Sequence, residues 1–566
     1  MRNKNVIKIQ RLNAIAIGLL ASSSLVMAAN YDTLGHQQDN FSNLDQIAPQ
    51  ISEQGHSISP LESFQQAEKN NKRTNYLEVL NLIKQNKLEE AQNKISSLLK
   101  ENPNEADYYN LKALLETIKK DTAAAQQSYE KAITLAPNNV LAHLGSAKLF
   151  LENGQLDKAK EYANKALAIN DKSINAYLLL ADVANKQKDY AEVDKVLLTA
   201  LEKVKGNIKA EIEVIKNLGK FYGTQKQPEK ILSLTEDLDK RYPNNSMALN
   251  LLAQAQIINN KKPLAEQTLL KLINQDKQDI GDRLLLARLL SEHPDKEKET
   301  LALLDEAALI KPDNPEALVF KTAYLIKLKR NKDAMELADK IDKQFPKLVL
   351  GKLLKGDVYL AEKNLDKATD MYQQVYKIQP NDRVLFILAD MMSAQKKQPE
   401  AIKLLSDALE KNKKNVAIHF KLATIYQQQN DMKQAEAHYN AMLVEQPDNA
   451  LALNNLAFLY SQQNDPRAVE LAKKAYEKAP NSAAILDTYG YILIKQGQPK
   501  EGLPMLEKAA ALAPKANDIQ FHLAEAYVAN DNTKKAIEIL ETLVKAEQDF
   551  SEKKAAVSLL AKLKAQ

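Results

Sequence analysis

Seven histidines carry the side chains that titrate near neutral pH: His36, His56, His143, His293, His419, His438 and His522. No two of them stand at the H-E-x-x-H kind of spacing that sets two imidazoles one helical turn apart around a metal. His143 and His419 fall at the same place in a recurring pattern, which reads as packing. There is no cysteine, so a thiolate nucleophile, a thiolate metal site and a disulfide are excluded. No glycine-rich phosphate loop of the G-x-x-x-x-G-K kind is found. Carboxylates are numerous but interleaved with lysines, and Asp487, Asp518 and Glu525 have no partner base at a fixed spacing. The run "EHPDKEKET" at 292–300 reads as a solvated loop. The chain is therefore expected to be no enzyme, with no catalytic, cofactor or metal set.

The elements that must position any functional group are helical. The 566 residues hold 14 Gly, 19 Pro and no Trp, and they are 45% hydrophobic and 27% charged. Ala, Leu, Lys, Gln and Glu dominate, and all favour helix. The expected class is all-α.

The prolines carry a period. Pro103 and Pro137 are 34 apart, as are Pro312, Pro346 and Pro380, while Pro447, Pro480 and Pro514 are spaced by 33 and 34. Between them, small residues and aromatics recur at positions 8, 11, 20 and 24 of 34. They are Gly356, Tyr359, Ala368 and Tyr372 in one unit, and Ala423, Tyr426, Ala435 and Tyr439 two units on. Gly490, Leu493, Gly502 and Leu506 follow, then Ala524, Tyr527, Ala536 and Leu540; one earlier unit departs with Glu116 in the second slot. Such a unit is a hairpin of helix A and helix B. Small residues at 8 and 20 let the two helices approach, larger ones fill the gap to the next hairpin, and Pro opens the next turn. One hairpin cannot bury its apolar face alone, but a stack can.

This pattern resembles the tetratricopeptide (TPR) repeat over roughly 71–560. The resemblance implies a TPR solenoid, a right-handed superhelix of stacked antiparallel hairpins. The match is close in 72–205 and 313–548 and slips in 206–312, where irregular or longer helices are expected. The implied organisation is a signal peptide at 1–28, a polar flexible leader at 29–70, an N-terminal array at 71–205, an irregular, hinge-like TPR region at 206–312, and a C-terminal array at 313–566. Pro466 is expected to open helix B in a unit one residue short.

The signal peptide rests on Arg2, Lys4, Lys8 and Arg11, an apolar core over 12–21, and Val26 and Ala28 before the cut. It implies a bacterial periplasmic protein without a transmembrane helix after cleavage; retention as an anchor is the alternative. Removing its four basic residues takes the net charge from +5 to +1. With lysines and glutamates evenly mixed, nucleic acid is not an expected partner.

The TPR resemblance also implies a concave face built from helix A positions 2, 5, 9, 12 and 13, which holds an extended peptide or partner helix. In the last repeats these slots give Asn454, Phe458 and Gln462, then Asp487, Tyr491 and Lys495, then Phe521 and Glu525. The aromatics would anchor a partner and Asn454 would pair with its backbone; the alternative is that they pack against neighbouring helices. The segments "NNLAFLYSQQNDPRAVELAKKAYEKAP" and "ILDTYGYILIKQGQPKEGLPMLEKAAALAP" are similar to the C-terminal part of TPR proteins of bacterial exosortase and exopolysaccharide systems. That likeness implies a role in polysaccharide handling. The two functional expectations are thus a scaffold binding envelope proteins and a polysaccharide-binding component.

Overall fold

The structure is a computed structural model that describes residues 60–546 and 550–565, with side chains from residue 71 onward. The expected signal segment and most of the leader lie outside the described residues. A helix, Pro60–Lys84, runs across the expected leader boundary at 70. Among the described residues, helix thus starts at Pro60, eleven residues before the expected start of the array at 71.

The described residues form 29 α-helices and one short 3₁₀ turn, with no strand among them. Most helices pack on the next in sequence, and several successive A helices touch as well. A regular unit pairs a 13-residue helix A with a 14-residue helix B, as in Val416–Gln428 and Met432–Glu445. Asn or Asp opens many of these helices. Asn415 accepts from the backbone N–H of Ile418 and Asp431 from that of Gln434, which satisfies donors the first turn leaves free.

Every regular A–B turn ends helix A on a left-handed residue. These residues are Asn86, Lys120, Gly154, Lys188, Lys226, Asn260, Lys329, Lys363, Lys396, Asn430, Asn464, Gly497 and Asp531. The left-handed cap supplies the reversal that frees the chain to start helix B. Six of them are lysines, for which this conformation costs about 1–2 kcal/mol. Lys363→Gly is therefore expected to stabilise the protein by about 0.5–1 kcal/mol, because relief of strain exceeds glycine's extra unfolded-state entropy. An unchanged or lowered urea midpoint would show that the lysine side chain compensates.

The expected small residues do meet. Ala423 and Ala435 are fully buried between their helices. A Cβ built on Gly490 would lie 2.9 Å from the Gly502 carbonyl oxygen, and one on Gly502 would lie 2.7 Å from that of Gly490. The position-24 aromatics Tyr372 and Tyr439 fill the core beside them. Pro466 sits just before helix Arg467–Lys478, which has 12 residues, so the missing residue shortens helix B.

The described residues divide into two compact units between Ala317 and Leu318. The region 206–312 belongs to the first, and its irregularity is local. Lys188 and Lys226 are 38 apart where other turns stand 33 or 34 apart, and helix Ile208–Thr224 has 17 residues. Four inserted residues therefore add about one turn of helix. Further on, helix Gly281–Leu290 is cut to 10 residues and the 3₁₀ turn Pro294–Lys296 replaces the left-handed reversal. Hairpins continue through the region on both sides of these changes.

Candidate functional site

The eight residues singled out in the sequence lie on three successive A helices of the second unit: Ala450–Gln462, Ala483–Lys495 and Asn517–Ala529. Asn454, Phe458 and Gln462 are four residues apart, so they form one stripe along the first helix. Asp487, Tyr491 and Lys495 do the same on the second, and Phe521 and Glu525 on the third. The first and second helices touch, and so do the second and third, so the stripes lie side by side.

Four of the eight gather into one polar cluster around a histidine that sequence reasoning left out. His522 Nδ1 lies 2.8 Å from Asp487 Oδ1, tying two A helices across 35 residues of chain. Burial alone would lower the His522 pKa, but the Asp487 carboxylate, together with Glu525 and Glu552, raises it overall. The Tyr491 ring lies 4.4 Å from the His522 ring. Lys495 Nζ lies 5.0 Å from the centre of the Tyr491 ring, within cation–π range. Glu525 completes the group; burial raises its pKa, against the pull of Lys495 and His522. The cluster mixes both signs of charge with an aromatic face, which suits a partner offering both donors and acceptors.

The other four residues separate. Phe458 is half-buried and Gln462 is exposed. Phe521 is 3% exposed and packs with Leu486, Leu506 and Leu523. It is a core side chain and no groove anchor, because the apolar side chains packed around it cover its slot. Asn454 is 7% exposed, and its Oδ1 has no hydrogen-bond partner. A buried amide oxygen left unpaired costs about 1–3 kcal/mol. Asn454 is thus the one residue of the eight whose chemistry is unfinished within the protein.

Position 4 of helix A holds a recurring tie. Tyr109, His143, Tyr177 and His419 each reach back to the backbone carbonyl six residues earlier, at Pro103, Pro137, Asp171 and Lys413. The two histidines there are buried, and the tie is their packing role. His419 makes a further contact with His438 on helix B of its own hairpin, with the two Nδ1 atoms 2.9 Å apart. Burial, and then His419, lowers the His438 pKa to about 4. Among the described residues, no three His, Asp or Glu side chains are grouped to hold a metal ion, and no helix is long and apolar enough to cross a membrane.

Family models described as tetratricopeptide repeat match at 76–140, 118–165, 144–192, 352–382, 392–457 and 493–563. The chain is 26% identical over 242 residues, 42% of its length, to the TPR repeat-containing protein PA4667 of Pseudomonas aeruginosa. It is 25% identical over 234 residues, 40% of its length, to the human protein O-mannosyl-transferase TMTC3. The matches span 35% and 25% of those two proteins. Among solved structures, it aligns with Naa15/Naa10 bound to HypK-THB at a TM-score of 0.34 and 14% identity, covering 87% of this chain and 96% of that one. It aligns with the yeast Tom70 at 0.34 and 15%, covering 81% and 96%. The repeat matches fall in both structural units and together take in just over half of the sequence, so the chain belongs to the tetratricopeptide-repeat proteins.

Proposed function

We propose that this protein is a non-enzymatic scaffold of the bacterial periplasm that holds envelope-assembly or secretion proteins on the A-helix face of its second unit. The observation that carries the reading is Asn454, a buried amide whose oxygen finds no donor in the protein. It stands on the stripe beside the Asp487, Tyr491 and Lys495 stripe, and a backbone N–H of a bound peptide would satisfy it. The repeat family supports a protein partner. The periplasmic location rests on the basic and apolar N-terminal segment alone. The half-buried Phe458 and Tyr491 beside Asn454 and Asp487 also suit sugar rings, which keeps an exopolysaccharide-handling role as the second reading.

The test is affinity capture from a bacterial envelope fraction with mature protein and with an Asn454→Ala, Phe458→Ala, Tyr491→Ala variant of equal helicity. One or more proteins are expected to fall at least tenfold with the variant. Capture of the same proteins by both overturns the assignment to this face. Loss of polysaccharide in place of protein favours the second reading. Recovery of the tagged chain in the cytoplasm, not in an osmotic-shock extract, overturns the location.

A further inference from the structure

A cavity of about 300 Å³ lies within the first unit. Three successive A helices wall it: Ile208–Thr224, Ser246–Ile258 and Gly281–Leu290. The first two touch. Asn250 Nδ2 on the second donates to Asp282 Oδ1 on the third at 3.3 Å. Gln254 Nε2 donates to Asn250 Oδ1 at 2.6 Å, so the amide is held with its donors toward Asp282.

Asp282 is a carboxylate without its cation. It is only 8% exposed. Its second oxygen has no partner among the described residues and opens into the cavity. The adjacent Arg283 turns elsewhere, to Glu306 at 3.4 Å and to the Asp279 carbonyl oxygen at 2.7 Å. Burial, and then the Asp279 carboxylate, raises the Asp282 pKa. A buried charge left unpaired is costly, so an arriving cation gains more here than at the surface. Lys216 lines the same cavity from the first helix; it is exposed and has no ion pair among the described residues. The middle helix stands between these two charges, and it supplies the apolar side chains of Met247 and Leu251.

We propose that this cavity binds a basic amino acid with a free carboxylate, the unit common to free arginine or lysine and to a peptide chain that ends in one of them. The cationic head meets Asp282, with Asp279 adding a second negative charge at the rim. The aliphatic stem lies along Met247 and Leu251, as the stems of long basic side chains do on apolar surface. The carboxylate meets Lys216. The α-nitrogen stays at the open mouth, so it can be a free amine or part of a peptide bond. The volume is at the small end of ligand cavities, about 300–1,000 Å³, which suits one residue. The site belongs to the first unit and does not depend on the partner-binding face of the second.

The test is calorimetric titration of the full chain with L-arginine and with a tripeptide ending in arginine. Saturable binding at one site per chain is expected. Citrulline, which lacks the positive charge, and agmatine, which lacks the carboxylate, are each expected to bind at least about tenfold more weakly than L-arginine, the effect of losing a charge-assisted hydrogen bond. Asp282→Asn keeps an oxygen for Asn250, and Lys216→Gln alters an exposed side chain, so both are expected to fold and to lose binding by about the same factor. Tighter binding of the tripeptide marks a chain end as the source of the ligand, and tighter binding of arginine marks the free amino acid. Absence of saturable binding by both ligands overturns the proposal. So does binding that neither substitution weakens in proteins of unchanged helicity.

Discussion

Replacing Glu211 by alanine is expected to destabilise the first unit by about 3 kcal/mol, the range for removing one side of a buried charge network. Glu211 is fully buried. Its Oε1 accepts from the Tyr242 hydroxyl at 2.6 Å and from the Gly206 backbone N–H at 2.8 Å. Its Oε2 lies 2.5 Å from Arg241 Nη1, an ion pair whose N–H is not aimed along the contact. Alanine takes the acceptor from the half-buried Tyr242 hydroxyl and from the Gly206 N–H and opens a cavity where the carboxylate was fully buried. Arg241 suffers less, because it keeps Asp237 at 2.8 Å. Glu211→Gln is expected to cost less, since its amide oxygen can still accept from Tyr242 or Gly206. Hydrogen exchange should show the loss confined to helices Ile208–Thr224 and Pro228–Arg241 and their neighbours. A Glu211→Ala protein with an unchanged urea midpoint would mean that water replaces the carboxylate at no cost.

The second large effect belongs to Gly490. Valine there is expected to cost about 3 kcal/mol or more, at the upper end of overpacking. Even the first carbon of a side chain would lie 2.7 Å from Leu506 Cγ and 2.9 Å from the Gly502 carbonyl oxygen. A leucine side chain can turn aside, but a helix backbone cannot, so the two helices must part. Parting them loosens helix Ala483–Lys495, which carries Asp487, Tyr491 and Lys495. Partner capture should therefore weaken together with exchange protection over 483–529. Gly490→Val with native stability would show that this hairpin tolerates wider spacing, as the Ala423–Ala435 hairpin does with its two methyl groups.

The stack was legible because its constraints repeat. Small residues at 8 and 20 must recur wherever two helices pack closely, and the prolines mark the turns between hairpins. The left-handed turn recurs as strictly, yet it was hidden, since Lys, Asn, Gly and Asp all occupy it and lysine does not advertise that conformation. The slip in 206–312 was legible as irregular or longer helices within the stack, and Ile208–Thr224 takes up four extra residues as one more helical turn, which Glu211 anchors. Spacing alone placed Asp487, Tyr491 and Lys495 on one stripe, because a helix fixes that geometry from sequence. It failed for Phe521, whose exposure depends on what covers the last repeat. It also missed His522 with Asp487 and His419 with His438, which meet only across separate helices. Their contacts depend on hairpin register, which a search for close metal-ligand spacing does not test.

Helices that pack mainly on their neighbours in sequence make the protein a chain of links under load. If its two ends were drawn apart, each hairpin would give way in turn. A released unit of 34 residues would pay out up to about 110–120 Å of extended chain. A tether between a moving partner and a fixed one would thus lengthen in steps, and the hairpins still folded would keep their grip.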